Sequence, residues 1–534
     1  MKKLSKIIRL LIYILPLVLF FSYFPVISFG ANETMNFELS LPLIWLVVFD
    51  VVGFVGLILG RKFNNLLKKK WLYLILVLGF ITASLIWSAN FVRGLMTCGV
   101  MWLIAFAVFA VVQFKDLFFA EEFRRKFWRW FFGSALFVCF WCVLQCVLDL
   151  AGVSRDYSLM CYGCSSHSFG FPHPNGFAIE PQFMGNLLLA PAIVSAWFMM
   201  KQNSKNLEHE RSRGDNFHNK SVGTRTKLQF RDSFRDCCEN HSGSRFLGSK
   251  FLLFCFFVVV ATLFLVFSRG AIYAFGVGMA FMSAFVLVRE RKCWKKVLKR
   301  VGVVWITIVV GFLFTLNLQG IMTQVGPTDD TYVDGVARAL NQLSLGIIDI
   351  RGKNEPVQSD EILESVEVEM VESAGEINVV ESVLDEPGVV GEKDEATFDG
   401  YVEESTEIRK TLTRNAIKVW SRDVKTMLFG IGIGGAGEAM FQAGLTASPK
   451  ELVQNEYVSL LLETGIVGAV LLIVLMIVII RIVIKNNLAV VPVMTLLVTY
   501  GVTLVFFSGF ANALQIYLLP VVLWCALQNK GKQF

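Results

Sequence analysis

The sequence predicts an all-α polytopic membrane protein with about twelve transmembrane helices and one large extracytoplasmic loop between helices 9 and 10. Three observations lead to this fold class. Of the 534 residues, 55% are hydrophobic and the mean hydropathy is +0.58, which is richer in apolar residues than a typical soluble domain. Apolar runs long enough to cross about 30 Å of hydrocarbon recur along the chain. Basic residues cluster between alternate runs.

Twelve apolar runs have the length of a membrane span. They fall near residues 7–29, 42–60, 71–88, 95–113, 129–150, 176–199, 251–267, 271–288, 301–317, 457–484, 488–508 and 511–528. The first run lacks a cleavage site of the A-x-A type, so it is predicted to stay in the protein. An even number of spans puts both termini on one side, and the basic residues before the first span place that side in the cytoplasm. The expected location is the inner or plasma membrane.

The predicted organisation has five parts: spans 1–6 in residues 1–200, a basic cytoplasmic loop at 201–250, spans 7–9 in 251–317, an extracytoplasmic loop at 318–456, and spans 10–12 in 457–534. The basic loop holds eleven Lys and Arg against six Asp and Glu. It is predicted to be disordered and close to anionic lipid. Its Cys237, Cys238 and His241 form an incomplete tetrahedral set, which disfavours a metal site.

The extracytoplasmic loop contains an acidic insertion at 355–407, with eighteen Asp and Glu and a single Lys. Such a run repels itself, and it lacks the D-x-D-x-D-G pattern of a calcium loop, so a solvated disordered insertion is expected. Amphipathic helices are predicted on both sides of it, because apolar residues recur there at helical spacing. These residues are Val336, Leu340, Leu343 and Ile347 before it, and Ile408, Leu412, Ala416, Trp420 and Val424 after it.

The stretch from Phe429 to Ile484 joins a glycine-rich loop to the tenth span. Ser448-Pro449-Lys450-Glu451 matches a capping box with proline at the first helical position, which predicts a helix from here to Ile484 without a break. Gln454, Asn455 and Glu456 would then lie rigidly at the membrane mouth. A glycine loop next to such polar groups suits a charged lipid head group. However, the glycine string is weak evidence for a phosphate site outside a nucleotide-binding fold.

Arg269 lies in Val266-Phe267-Ser268-Arg269-Gly270-Ala271, which separates two apolar runs. A buried arginine costs several kcal/mol unless it faces a polar cavity or an anion. One interpretation is a tight outward turn with a snorkelling arginine. The other is an anion site, since guanidinium offers a fork of donors that matches phosphate.

Polar residues also precede the sixth span. Glu180 dips into the membrane, and His173-Pro174-Asn175 comes just before it; such an intramembrane carboxylate is expected to be paired or functional. Cys161, Cys164, His167 and His173 superficially resemble zinc ligands, but their spacing favours a disulfide or free thiols. The cysteines inside apolar runs are predicted to be small packing residues: Cys139, Cys142, Cys146, Cys255 and Cys525.

Two further pairs of charged residues have two interpretations each. Arg409 and Arg414 lie on helical sequence before the glycine loop, either as an anion site or as a solvated helix face. Glu456 and Glu463 are seven residues apart and share a helix face. They either take part in chemistry or pack against other loop residues.

Together these motifs resemble the O-antigen ligase and O-antigen polymerase superfamily of bacterial membrane glycosyltransferases. The resemblance covers about 170–534: the Pro174-Asn175 and Glu180-Pro181 stretch, Ser268-Arg269-Gly270-Ala271, one late outward loop with Arg409 and G-x-G-x-G, and N-x-Y-x-x-L-L-x-E-x-G-x-x-G from Asn455 to Gly468. The first five spans match only in topology.

The resemblance implies a C-type glycosyltransferase fold. It also implies a metal-independent transfer, without cofactor, of a glycan from undecaprenyl pyrophosphate to an acceptor hydroxyl, with inversion. By position, Arg269 with Ser268 would bind the pyrophosphate, and Arg409, or alternatively Arg414, would be the loop arginine. The implied partners are the lipid-linked glycan, an acceptor glycan or lipid, the bilayer and other polysaccharide-assembly proteins; nucleic acid is not among them.

One position departs from the family pattern. Many members have histidine directly before the asparagine, whereas this chain has Gln454. Glutamine cannot act as a general base, so Glu180, Glu456 or His173 would take the acceptor proton, or Gln454 would only orient the acceptor. Ligases are most associated with that histidine, so its absence favours a polymerase slightly.

Two other classes of function compete with a glycosyltransferase. A transporter or flippase of lipid-linked glycan or another polyanion would use the same arginines for binding. Transporters usually carry internal repeats with paired broken helices, and the two halves of this chain show no such similarity. A scaffold with the acidic insertion as a docking tail is the third possibility.

Overall fold

A computed structural model shows a bundle of α-helices with a smaller helical unit at one end. The structure describes residues 2–21, 27–29, 37–62, 69–151, 174–178, 181–215, 248–291, 294–326, 331–344, 401–485, 490–506 and 514–528. Several predictions concern residues outside these ranges: His173, Glu180, Ile347, the cysteine and histidine clusters at 161–173 and 237–241, and most of the basic loop and the acidic insertion.

The first half of the chain forms six helices. They are α1 (Lys2–Phe20), α2 (Leu41–Leu59), α3 (Lys69–Ala83), α4 (Phe91–Gln113), α5 (Glu121–Leu150) and α6 (Pro181–Asp215). Short 3-10 helices follow α3 at Ser84–Trp87 and precede α5 at Lys115–Phe119. Between α1 and α2 the chain adds two short strands, in which β1 (Ile27–Phe29) pairs antiparallel with β2 (Phe37–Leu39).

The second half of the chain adds ten helices. They are α7 (Ser249–Leu265), α8 (Arg269–Arg289), α9 (Trp294–Val325), α10 (Tyr332–Ser344), α11 (Tyr401–Trp420), α12 (Val424–Phe429), α13 (Ala436–Gln442), α14 (Glu456–Ile484), α15 (Val490–Phe506) and α16 (Leu514–Ala526).

A helix is present at each of the twelve predicted span positions within the described ranges. Seven of them, α2, α4, α5, α6, α8, α9 and α14, are long and apolar enough to cross a membrane. Four others are apolar but shorter, and α1 carries Lys3, Lys6 and Arg9 in its first turns. The chain is therefore a polytopic membrane protein, and the count of twelve spans stays a prediction.

The helix α6 is the centre of the bundle. Almost all of its apolar segment is buried inside the protein, and it packs against α7, α8, α9 and α15. By contrast, α14 buries little of its apolar surface inside the protein. The five cysteines predicted to be packing residues are all buried and free, which confirms that prediction.

The predicted helix start at Ser448 is wrong. The Ser448 hydroxyl accepts a hydrogen bond from the Lys450 amide (3.2 Å), but the chain then stays irregular until Glu456. Asn455 is the N-cap of α14, with its side-chain oxygen 3.2 Å from the Val458 amide. The backbone around Pro449 packs instead against Gly437 of α13, so tertiary packing overrides the local capping pattern.

The predicted unbroken helix up to Ile484 is also wrong. Gly465 has φ +62°, a left-handed conformation that breaks α14 after Thr464. The helix before the acidic insertion is confirmed as α10, and the one after it as α11. However, α11 ends at Trp420, and Asp423 caps the separate helix α12 by accepting a hydrogen bond from the Thr426 amide (2.8 Å). Val424 therefore does not continue α11, and the hydrogen bonds from Thr426 lower the pKa of the Asp423 carboxyl.

Candidate functional site

The end of α15 is the platform on which the candidate site is built. The Gln182 amide, in the first turn of α6, donates to the Phe506 carbonyl (2.6 Å). A Cβ at Gly270 in α8 would lie 2.8 Å from the Phe506 Cβ. The Tyr457 hydroxyl, in the first turn of α14, donates to the Gly501 carbonyl (2.7 Å). Gly501 and Phe506 are about 7.5 Å apart along the helix axis, so the starts of α6, α8 and α14 converge at one end of the bundle.

The turn between α7 and α8 presents Ser268 and Arg269. It is tight: α7 ends at Leu265, and Arg269 is already the first residue of α8. Phe267 within it has φ +51°, which costs a non-glycine residue about 1–2 kcal/mol. This residue is held in place by packing against Leu316 and Ala339. A strained turn next to a charged residue is typical of functional sites.

Arg269 is half-buried with its Nη1 atom inside the protein. A cation in the first turn of a helix faces the positive end of the helix dipole, which is unfavourable unless an anion lies nearby. The helix start and the guanidinium both favour a phosphate group in front of them. One turn further on, the Tyr273 hydroxyl donates to the Leu343 carbonyl (3.1 Å) and ties α8 to α10. The structure thus shows a tight turn, and its geometry also suits an anion.

The other predicted residues of the site lie at the start of α14. Glu456 is buried, while Gln454 and Asn455 are half-buried. The Glu456 carboxylate lies within electrostatic range of the buried Tyr517 hydroxyl of α16. The Asn455 side chain is used as the helix cap. A buried carboxylate next to a phenol at the end of the bundle is a suitable proton acceptor in chemical terms.

A glutamine inside α5 holds the Pro174-Asn175-Gly176 turn. The Gln145 side chain donates to the Asn175 side chain (3.2 Å) and to the Gly176 carbonyl (2.9 Å), and it accepts from the Gly176 amide (2.8 Å). All of these bonds are buried. They fix the backbone that leads into α6, next to the two predicted site residues that lie outside the described ranges.

The glycine-rich loop is not an open anion cradle, contrary to the hypothesis drawn from the sequence. The Ile431 and Gly432 amides donate to the Leu462 and Glu463 carbonyls (both 3.0 Å). The Ile433 amide donates to the Ser84 hydroxyl (3.2 Å). Three glycines of the loop have positive φ, namely Gly430, Gly432 and Gly434, and a Cβ at any of them would overlap backbone atoms. Glycine is needed here for close packing of backbones, not for a ligand.

Glu463 lies beside this loop. Its carboxylate is buried and accepts hydrogen bonds from the amides of Gly434 and Ala436. Glu456 and Arg93 lie within electrostatic range of it. Of the two interpretations of Glu463, the geometry therefore matches packing against the loop.

The loop arginines lie on α11, which packs against the first part of α14. Arg409 is half-buried and Arg414 is exposed. Within the described part of the chain neither arginine forms an ion pair, so both remain able to bind an anion. No described hydrogen bond or ion pair joins them to Arg269, and the structure does not bring them into contact with it.

Several residues of this site were not predicted from the sequence: Gln145, Gln182, Arg93 and Tyr517. Each is a polar side chain in or next to an apolar run. Because polar residues are rare in membrane spans, that position was the signal that could have found them.

Residues 254–473 match the family model described as O-antigen ligase (Wzy_C). The match contains Ser268, Arg269, Arg409, Arg414 and the segment from Gln454 to Glu463. No curated protein and no solved structure matches the chain.

Proposed function

We propose that the chain belongs to the O-antigen ligase and polymerase superfamily, whose family model matches residues 254–473, and that it is a membrane glycosyltransferase that uses undecaprenyl-pyrophosphate-linked glycan as donor. The class of function, membrane glycan assembly, follows from the family match. One observation supports the detailed proposal. Gly270 and Tyr457, the residues directly after Arg269 and Glu456, contact the same helix, α15, at Phe506 and Gly501, which are about 7.5 Å apart along its axis.

In the proposed reaction the acceptor hydroxyl attacks the anomeric carbon of the donor glycan. A new C–O bond forms, the C–O bond to the pyrophosphate breaks with inversion, and the hydroxyl proton passes to a protein carboxylate. The leaving group carries the developing negative charge. Arg269, the start of α8 and the Ser268 hydroxyl are placed to stabilise that charge, and such stabilisation is often the largest catalytic contribution. The proposal needs no metal ion.

Among the described candidates, Glu456 suits the role of proton acceptor best. It is buried, lies within electrostatic range of Tyr517, and follows a cap next to Tyr457, which is bonded to α15. Gln454 precedes it on the irregular segment and would orient the acceptor. Glu180 and His173 remain alternatives, since the turn held by Gln145 leads to them.

Arg409 is proposed as a second phosphate ligand, with Arg414 as the alternative. Arg409 lies closer to the buried face of α11, whereas Arg414 is exposed. The missing histidine at position 454 favours a polymerase over a ligase. The proposed location is the inner or plasma membrane with the site on its outer face.

The proposal is tested with Glu456→Gln and Gln454→Ala in vesicles that contain donor and acceptor glycans. Glu456→Gln should lower the rate of transfer by about 100-fold or more, since general acid–base catalysis contributes about 10²–10⁴-fold. Gln454→Ala should retain more of the rate. Full activity of Glu456→Gln would show that Glu456 is not the proton acceptor and would leave Glu180 or His173 for that role. If the lipid-linked glycan crosses the vesicle membrane but no transfer occurs, the protein is a transporter.

A further inference from the structure

The small helical unit at the end of the bundle contacts the membrane helices through the glycine-rich loop, which one buried carboxylate holds in shape. This outer unit consists of α11, α12, α13 and the α14 segment 456–464. Its core is formed by apolar residues of α11, α13, the α14 segment and the connecting loops: Ala416, Val419, Ile431, Ala436, Met440, Val453 and Leu462. The Asn415 side chain closes it by donating to the Leu445 carbonyl (2.8 Å).

The glycine loop joins this unit to the turn between α3 and α4. On the membrane side, the Ala89 amide donates to the Ile431 carbonyl (3.1 Å) and the Ser88 hydroxyl donates to the Ile433 carbonyl (2.9 Å). A Cβ at Gly435 would lie 3.1 Å from the Ala89 Cβ. The loop therefore lies directly on the turn at residues 84–94, backbone against backbone.

The same loop breaks α14. In an unbroken helix the Leu462 and Glu463 carbonyls would accept hydrogen bonds from the next turn. Here they accept from the Ile431 and Gly432 amides, and Gly465 turns the chain away with φ +62°. A broken membrane helix needs such partners for its freed backbone groups.

The Glu463 side chain completes the junction. The Leu462 and Glu463 carbonyls of this bend accept hydrogen bonds from backbone amides of the loop. The Glu463 carboxylate accepts hydrogen bonds from two other loop amides, those of Gly434 and Ala436. A buried amide without a partner costs about 1–3 kcal/mol. The loop would therefore leave the turn at 84–94 more readily if this carboxylate were lost.

We propose that Glu463 is a positioning residue whose carboxylate clamps the glycine loop in the conformation that packs on the α3–α4 turn, and so holds Gln454, Asn455 and Glu456 in place. This inference rests on the proposed function for its effect on transfer, but not for its effect on the junction. The carboxylate occupies the amides that a phosphate would need, so the glycine loop is a joint between two parts of the protein and not a ligand site.

The test uses an engineered disulfide across the junction. Cβ atoms of disulfides lie about 3.5–4.5 Å apart, so the pair Ala89→Cys and Gly435→Cys reports whether the loop is seated. In membranes treated with a mild oxidant, this pair should cross-link in the wild-type background. Glu463→Ala should slow its cross-linking by about ten-fold, whereas Glu463→Gln, which keeps an acceptor oxygen, should slow it by less than about three-fold. The wild-type protein without the added cysteines controls for the native thiols.

Glycan transfer is measured on the same variants. Glu463→Ala should lower kcat by roughly 10- to 100-fold, because small misplacements of reacting groups have effects of this size, and Glu463→Gln should stay within a few-fold of the wild type. Closing the disulfide in the Glu463→Ala variant should restore transfer. Should Glu463→Ala fail to accumulate, Glu463→Asp takes its place, since the shorter side chain does not reach Ala436.

Two outcomes would overturn the proposal. If Glu463→Gln is as inactive as Glu463→Ala and the disulfide restores neither, the carboxylate takes part in the chemistry itself. If Glu463→Ala cross-links and transfers at the wild-type rate, there is no clamp. If the wild-type protein transfers no glycan, the proposed function fails, and the cross-linking rates still decide whether Glu463 holds the junction.

Discussion

Replacing Gly430 with alanine should destabilise the protein by about 2 to 5 kcal/mol. Gly430 has φ +73°, and a left-handed conformation costs alanine about 1–2 kcal/mol. In addition, the new Cβ would overlap the backbone of Glu463 and Thr464. Because backbone cannot rotate aside as a side chain can, the loop has to move, and overpacking of this kind typically costs about 1–3 kcal/mol.

Gly444→Ala is the matched control. Gly444 also has a positive φ, +66°, but a Cβ there meets nothing within 4 Å. It should therefore cost only the backbone contribution of about 1–2 kcal/mol. The larger loss of stability expected for Gly430→Ala therefore reports mainly the contact between the glycine loop and the bend in α14.

Thermal unfolding of the purified protein in detergent, followed by tryptophan fluorescence, measures both variants. We expect a clearly lower midpoint for Gly430→Ala than for Gly444→Ala, together with slower cross-linking of the 89–435 cysteine pair. Equal midpoints and equal cross-linking would refute the reasoning, since they would mean that the loop does not pack against the α14 bend.

Three further predictions concern the site. Arg269→Ala should lower kcat/KM for transfer by about 100-fold or more with normal protein abundance. Replacement of the exposed Arg291, two residues beyond the end of α8, with alanine should have no effect, and equal rates for the two variants would show that Arg269 is not part of the site. Gln145→Leu leaves the buried amide and carbonyl of Gly176 without partners and should cost about 2–6 kcal/mol, seen as a lower unfolding midpoint that an unchanged midpoint would contradict. Tyr457→Phe removes the bond to the Gly501 carbonyl and should cost about 0.5–1.5 kcal/mol; a purely local loss of stability with unchanged transfer would show that this bond does not position Glu456.

Hydropathy and helical spacing predicted most of the helices. The apolar runs correspond to helices, and the periodic residues around Val336 and Leu412 lie on α10 and α11. The position of a helix along the chain can be predicted from the local sequence, because the spacing of apolar residues marks the face that is buried. The short turn at Arg269 could also be predicted from the sequence, since this single charged residue separates two apolar runs.

Features that depend on distant contacts were not predictable in this way. The pattern at Ser448 matches a capping box, yet the chain packs there against Gly437, and the helix begins only after its cap at Asn455. Gly465 in a continuous apolar run reads as a tolerated helix glycine. In the structure it breaks the helix, because the Ile431 and Gly432 amides donate hydrogen bonds to the carbonyls of the preceding turn. The glycine string has the composition of a phosphate loop, but Glu463 occupies the amides that a phosphate would need.

The most direct test of the central claim is reconstitution. Purified protein is mixed with undecaprenyl-pyrophosphate-linked oligosaccharide, with neither nucleotide sugar nor metal ion, and the products are read by gel and mass. We expect a ladder of lengthening lipid-linked chains with release of undecaprenyl pyrophosphate, both lost in Arg269→Ala. Transfer only to a second lipid or polymer would make the protein a ligase. No transfer at all, with Arg269-dependent movement of the donor across vesicles, would contradict the account.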